Sequence, residues 1–479
     1  MIRSSVFLVV WSIALGVGAT EYFVDSKGGD DAAAGTSPAS AWQSVGKVNR
    51  TSLQPGDVVR FKCGGLWRGS LAAKSGQPGR PVTYTSYGQG RKPIIQNTID
   101  CSRPEDWAEK SAGFWQTRPL VRADGSACAK DFGVMIIDGE RRGSKKFRHP
   151  EWIPGKSERF QRLSKMCDDL DFEYDADTKR VTVKHAENPG ESFKSIELAA
   201  TAHVVSENAC RYVTYDGLWI RYTGSHGFGG GGTMGIVIRN CDISTIGGGL
   251  QFWRRDEKTK KIRYPVRYGN GIEFWGACCS NLVERCRIWD IYDAALTNQS
   301  NHDPRPERDV VWRDNVIWNA EYSYEYWNHD PNSSTSNILF EHNTCIDAGY
   351  CQTHNDRHNP NGAHLMFYAN PAPTTNFVVR YNVFVRASDY SFFQSDDWKP
   401  DVHDNLVWIP ENRVYVRSRD PRSYRAGAKE FARYQQETGL DRDSIFREPK
   451  FYDEAKRDYR LVDAPKCPDG TVYGARIEH

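Results

Sequence analysis

Apolar and polar positions alternate in short runs along most of the chain, and between residues 212 and 409 the runs recur as one unit. The unit is an alternating apolar stretch closed by a turn residue: YVTYDG (212–217), IVIRN (236–240), LVERC (282–286), VVWRDN (310–315), ILFEHN (338–343), FVVRYN (377–382) and DVHDN (401–405). A period of two marks strands with one buried face. Taking the last residue of each run as a marker, the intervals are 23, 46, 29, 28, 39 and 23 residues. The shortest suits a coil of three short strands and three turns, with longer intervals absorbed as loops. A second strand follows each marker (CDIS, RIWD, VIWN, TCID, VFVR), and a third precedes it: GIEFWG (271–276), AALTNQ (294–299), SYEYWN (323–328), HLMFYA (364–369) and SFFQSD (391–396). Asn240, Asn315, Asn343, Asn382 and Asn405 stand at the marker, where an inward amide would bond neighbouring coils and tolerate a left-handed turn. The pattern predicts an all-β, right-handed parallel β-helix. A sandwich of hairpins would instead show turn signals every 8 to 12 residues or so.

EYFVDSKGGDDAAAGTSPASAWQSVGKVN (21–49), LQPGDVVRFKCGGLWRG (53–69) and KPIIQ (92–96), together with the Asn-marked coils, resemble secreted bacterial right-handed parallel β-helix proteins of the pectin-lyase-like superfamily. The resemblance covers most of the chain. It implies the fold and a substrate class, carbohydrate polymers, without specifying a reaction. The polygalacturonase set of Asn-Thr-Asp, paired Asp, His-Gly and Arg-x-Lys is absent in order, and RYPVR (263–267) is one residue short of the Arg-x-Pro-x-x-Arg of pectate lyases.

The remaining sequence divides the chain further. Residues 1–19 carry Arg3, an apolar run and Val17-Gly18-Ala19, which reads as an export signal and places the protein outside the cytoplasm, secreted or periplasmic. Residues 20–99 open the β-helix, 100–200 read as a β-rich insertion and 201–410 as the coils that carry the active face. Within the insertion, FEYDADTKRVTVKHAENP (172–189) predicts a hairpin turning at Asp175–Thr178. Residues 411–479 form a cap, with helical spacing and a closing Gly in 423–440. Lys and Arg total 63 against 61 Asp and Glu, so neither nucleic acid nor an anionic membrane is expected as a partner after signal cleavage. A monomer is expected. Twelve cysteines in an exported chain suggest disulfides, and no CxxC pair points to zinc.

Alternation nominates the chemistry. With Ile272 and Phe274 inward, Glu273 and Trp275 face out; with Tyr324 and Tyr326 inward, Glu325 and Trp327 face out. The two strands are two coils apart, so their carboxylates stand roughly 9 to 10 Å apart at about 4.8 Å per coil. That is the upper edge of the ~6.5–9.5 Å of an inverting glycosidase. Asp293, opening the intervening strand after a turn, is the third candidate acid. Leu296 and Asn298 are placed between the two Glu strands, and Trp275, Asn298, Trp327 and Tyr368 form an expected sugar-binding column. NHDP recurs at 301–304 and 328–331, putting His302 and His329 on one rim. The insertion GYCQTHNDRHNPNGAH (349–364) supplies His354 and Arg357, and His226 opens the matching strand one coil before Glu273. His-x-Asp-x-His in that loop offers metal ligands without a strict motif, and no metal is assigned. The leading expectation is a glycoside hydrolase on a polysaccharide or oligosaccharide, without cofactor, using Glu273 and Glu325 as acid and base. A polysaccharide lyase, using Arg or His and a cation such as Ca²⁺ against a uronate, is the competing enzyme class. A non-catalytic binding solenoid is the third.

Overall fold

The computed structural model describes residues 18–122, 125, 131–368, 370–395, 398–418 and 423–477. The run read as an export signal lies, up to residue 17, outside the described residues. Ten strands from Glu21–Val24 to Asp401–His403 stack in parallel as one wall. The other two faces of each coil come from a second parallel stack, and in mid-chain those two faces fuse into single long strands. Arg287–Ser300 pairs with Asp242–Ile246 through its first half and with Ile272–Trp275 through its second. Val316–Asn328 does the same with Thr344–Ala348 and Ala363–Phe367. The coils enclose a continuous apolar core from Val24 to Leu440, so the parallel β-helix is the observed fold.

At four of the five marker positions the inward amide bonds its neighbouring coils as expected, but there the left-handed turn is made by the residue before it. At this corner the left-handed residue is Gly217, Asn240, Arg285, Asp314, His342, Tyr381 or Asp404, with φ between 48° and 72°. The residue after it points inward. Four amides therefore form a ladder: Asn315 Nδ2 donates to Asn343 Oδ1 (3.0 Å), Asn343 to Asn382 (3.1 Å) and Asn382 to Asn405 (3.0 Å). Asn240 is itself the left-handed residue and stays outside the ladder, bonding Asp216 at 2.7 Å. Left-handed geometry costs a non-glycine residue about 1–2 kcal/mol, and the buried amide bonds offset it.

Between residues 98 and 200 the described strands build two sheets outside the solenoid, an antiparallel one of four strands and one of five in which Lys145–Lys146 pairs in parallel, around their own core of Phe132, Leu170, Phe172, Val183 and Leu198. Their hairpin turns where Asp175 Oδ1 accepts from Asp177 N (2.9 Å) and Thr178 N (3.1 Å). A second hairpin, Gly249–Arg255 with Ile262–Tyr268, rests on this body through Trp253, whose ring meets His149 at 5.2 Å and Trp152 at 5.3 Å. The helix Ala428–Thr438 buries Phe431 and Tyr434 against the last coils and ends at Gly439, φ 71°. None of the eleven described cysteines is in a disulfide, contrary to the expectation; most are buried as small apolar groups, and Cys241 and Cys286 occupy inward ladder positions. Cys128 lies outside the described residues. Among the described residues no helix is long and apolar enough to cross a membrane.

Candidate active site

A cleft of 830 Å³ runs along the outer face of the strands Phe228–Gly231, Ile272–Trp275, Arg287–Ser300 and Val316–Asn328. Pairing fixes what its floor presents. Glu273 stands beside Thr297 and Thr297 beside Glu325; Trp275 stands beside Gln299 and Gln299 beside Trp327. Tyr368 continues the second column, its N–H donating to the Tyr326 carbonyl at 3.1 Å. The Trp275 and Trp327 rings meet edge to face at 5.4 Å. Ile272, Phe274, Leu296, Tyr324 and Tyr326 turn into the core beneath them.

Asn298 is therefore a correction. Leu296 and Asn298 are inward; Asn298 is fully buried, donates to Glu307 Oε2 (2.9 Å) and accepts from the Tyr324 hydroxyl (2.6 Å). A one-residue change of frame moves the whole strand face, and Thr297 and Gln299 hold the positions assigned to Leu296 and Asn298. His302 is also corrected: it is an exposed turn residue at φ 59°, and Asn301 lines the cleft in its place. The two NHDP aspartates serve turns, Asp303 accepting from Arg305 N (3.0 Å) and Asp330 from Asn332 N (2.9 Å).

Glu273 is held by two donors. Asn270 Nδ2 reaches Oε2 at 2.7 Å and His226 Nε2 lies 3.3 Å from Oε1. The Asn270 N–H donates to His226 Nδ1 at 2.8 Å, which leaves the neutral ring its proton on Nε2. Burial pushes Glu273 up to about 7, with the Asn270 bond pulling back, and pushes His226 down to about 3. Gly229, beside Glu273 in the preceding coil, lacks a side chain because the His203 ring lies 2.8 Å from where a Cβ would stand.

Asp293 enters through a bulge. Ile291 pairs with Ala320 but Ala294 pairs with Tyr322, so the Arg287–Ser300 strand carries one extra residue here. Arg357 seizes the displaced segment, donating to the Tyr292 carbonyl (2.6 Å) and to Asp293 Oδ1 (3.1 Å). Burial raises the Asp293 pKa from its ordinary value, Arg357 pulls it down, and Glu321 and Glu273 push it up. Behind Arg357 lies Glu321, fully buried, 3.5 Å from Nε. Burial opposes its charge, but Arg357, His354 and the Asn361 N–H outweigh it and hold its pKa below the ordinary value. His354 is thus corrected as well: its Nδ1 lies 2.8 Å from Glu321 Oε2, away from the cleft.

Glu325 accepts a bond from Gln299 Nε2 and is 5% exposed. Burial drives its pKa well above the ordinary value, the Asp293 charge adds to this, Arg357 opposes, and Glu273 adds a smaller push. Of the residues expected at the site, His226, Glu273, Trp275, Asp293, Glu325, Trp327, His329, Arg357 and Tyr368 line the cleft together. The sequence reading missed Asn270, Gln299, His203, Tyr268 and Glu321. Glu321 had a signal, since it shares the outward alternation of Glu325, four residues on. In the 349–364 loop, His354 turns to Glu321, Asp356 to Arg141 (2.7 Å) and His358 stacks on Tyr264 (4.3 Å), so their side chains diverge. Among the described residues no three His, Cys, Asp or Glu side chains are arranged to hold a metal ion.

No family model matches the chain. A stretch of 110 residues, 21% of the chain, is 35% identical to the lacto-N-biosidase of Bifidobacterium longum subsp. longum and spans only 7% of that protein's length. Across 89% of the chain the structure resembles XylC, solved in complex with xylose, covering 82% of that chain with a TM-score of 0.42 and 10% identity. It also resembles a lacto-N-biosidase from Eubacterium ramulus, over 89% of this chain and 68% of that one, with a TM-score of 0.40 and 13% identity.

Proposed function

We propose that the chain is an exported glycoside hydrolase that cleaves a polysaccharide or oligosaccharide, with Glu325 as general acid and Asp293 as the ionised carboxylate opposite it. One observation carries the reading: of two neighbouring carboxyls in a single aromatic-lined cleft, Asp293 is the one paired with a guanidinium, that of Arg357 at 3.1 Å. Glu325 is buried beside the negative charge of Asp293, whereas Asp293 has its own guanidinium. Such a split assigns the proton donor and the charged partner. Asp293 then supports the oxocarbenium-like transition state, as nucleophile or by activating water. Glu273, fixed by Asn270 and His226, orients substrate hydroxyls, and Trp275, Trp327 and Tyr368 offer faces to the sugar rings. The partial likeness to a lacto-N-biosidase is in keeping with glycosidic chemistry.

The test is to incubate the mature chain with neutral and uronate-containing glycans while following reducing ends and the absorbance of unsaturated products. The reading expects reducing ends without unsaturated product, and a loss of roughly 10²- to 10⁴-fold in kcat for Glu325→Gln and for Asp293→Asn. Unsaturated product would establish a lyase instead. Full activity in both variants would move the chemistry away from this cleft.

A further inference from the structure

The cleft has one wall that the chemistry above leaves unused, the hairpin Gly249–Arg255 with Ile262–Tyr268. Its sequence, GLQFWRRDEKTKKIRYPVRY (249–268), carries seven Lys and Arg against two Asp and Glu in a chain whose totals are nearly equal. Alternation sends Trp253 back into the inserted body, where it packs on Phe147, His149 and Trp152, while Phe252 and Arg254 line the cleft. Phe252 is 41% exposed, and the Arg254 guanidinium lies over its ring at 5.1 Å.

Arg255, next to Arg254 in the chain, and the two other arginines that line the cleft are committed. Arg255 pairs with Glu151 at 3.0 Å, Arg267 donates to the Gly248 carbonyl at 2.7 Å and lies over Tyr292, and Arg357 serves Asp293 and Glu321. Among the described residues Arg254 has no acid within ion-pair reach. Its charge is nonetheless felt inside the site: His358, on the same wall, is held down at about 4 by burial and then by Arg357 and Arg254.

We propose that Arg254, with Phe252, forms a site for an anionic substituent on the substrate, a carboxylate or a sulfate ester, so that the glycan taken by this cleft is an acidic one. The proposal rests on the reading of the cleft as a sugar site. A guanidinium presents two parallel N–H donors to a carboxylate or sulfate, and the adjoining phenyl ring takes the apolar face of the same sugar.

The experiment is calorimetric binding to the full mature chain carrying Glu325→Gln, so that probes stay intact, at physiological salt. The probes are hexasaccharides of galacturonate, of κ-carrageenan, whose sulfate esters come without carboxylates, and of neutral xylose. One acidic probe should bind roughly 10- to 100-fold more tightly than the neutral one, the range expected of a charge-assisted contact. Which acidic probe wins separates carboxylate from sulfate. Arg254→Gln should bring the ratio of acidic to neutral affinity close to one and Arg254→Glu should invert it, whereas Lys258→Gln, at the hairpin tip, should preserve it. Equal binding of all three probes overturns the proposal. So does a preference that survives Arg254→Gln, or one that falls as much with Lys258→Gln, which would mark a diffuse basic surface. Hydrolysis persisting in the Glu325→Gln chain would sink the catalytic assignment while leaving this ratio, and the site, intact.

Discussion

Replacing Glu307 with Gln removes a carboxyl that the fold holds inside the solenoid, and the structure allows the effect to be worked out. Glu307 opens the strand Glu307–Arg313 with no exposed surface; Oε2 accepts from Asn298, and Oε1 has no partner. Burial pushes its pKa from an ordinary 4.5 up to about 8, with the Asn298 bond opposing and Asp303 adding to the rise. Above about pH 4.5 the unfolded chain gives up this proton, while the folded chain keeps it until about pH 8. The folded state binds more protons throughout that window, so stability is lost as pH rises through it. At about 1.36 kcal/mol per unit of pKa difference, the loss between about pH 5 and pH 7.5 is roughly 3 kcal/mol. Gln cannot ionise, so the variant escapes this loss; its pH-independent effects on cavity and hydrogen bonding cancel between the two pH values. Urea unfolding of wild type and Glu307→Gln at both pH values reads the difference directly. The variant should gain roughly 3 kcal/mol on the wild type between the lower and the higher pH. A gap that is the same at both would show that Glu307 is ionised in the folded protein, and the reasoning about its burial would fail.

Three further outcomes follow from the same structure. Arg141, from the inserted body, holds the loop that carries Arg357 by pairing with Asp356 at 2.7 Å and bonding the Gln352 carbonyl at 2.6 Å. Arg141→Gln should loosen the Arg357 contact to Asp293, raise the Asp293 pKa and move the acidic limb of the kcat/KM profile to higher pH, with Arg141→Lys restoring part of it; an unmoved limb with reduced Tm would make Arg141 merely structural. Trp327→Ala removes one of two facing indoles and should raise KM roughly 5- to 30-fold with kcat nearly unchanged, measured by initial rates on the substrate found above. Asn343→Ala removes acceptor and donor from the middle of the amide ladder and should cost about 2–4 kcal/mol in denaturant unfolding, most of it from stranding Asn315 N and the Trp312 carbonyl.

The coils were legible because a β-helix repeats its pattern, and each repeat checks the last. Ile272, Phe274, Tyr324 and Tyr326 announced their buried face, and with it the outward course of Glu273, Trp275, Glu325 and Trp327. The strand between them did not. Thr297, Asn298 and Gln299 are polar in succession, so alternation has no phase to follow there, and Asn298 is inward only because Glu307 and the Tyr324 hydroxyl meet it in the interior. Glu321 was overlooked for a related reason. Its charge is satisfied by Arg357 and His354, both from a loop more than thirty residues away, and no local pattern encodes that meeting. The wall above the cleft was equally hidden, since Trp253 finds its seat on residues roughly a hundred positions earlier in the chain.

The bulge at Asp293 has a consequence for how such a scaffold can tune chemistry at all. Stacked coils place outward side chains on a lattice whose step is the strand spacing, about 4.8 Å. Separations between groups on one column can therefore change only in whole steps, too coarse for a reaction sensitive to half an ångström. One surplus residue between Ile291 and Ala294 breaks that commensurability locally, letting a single carboxylate leave the grid while Ala294 to Ser300 rejoin it in register with the next coil. The solenoid thus supplies the coarse coordinate and the irregularity supplies the fine one. A cousin of this chain with the bulge deleted would keep its stack intact and lose the off-lattice position on which the site is built.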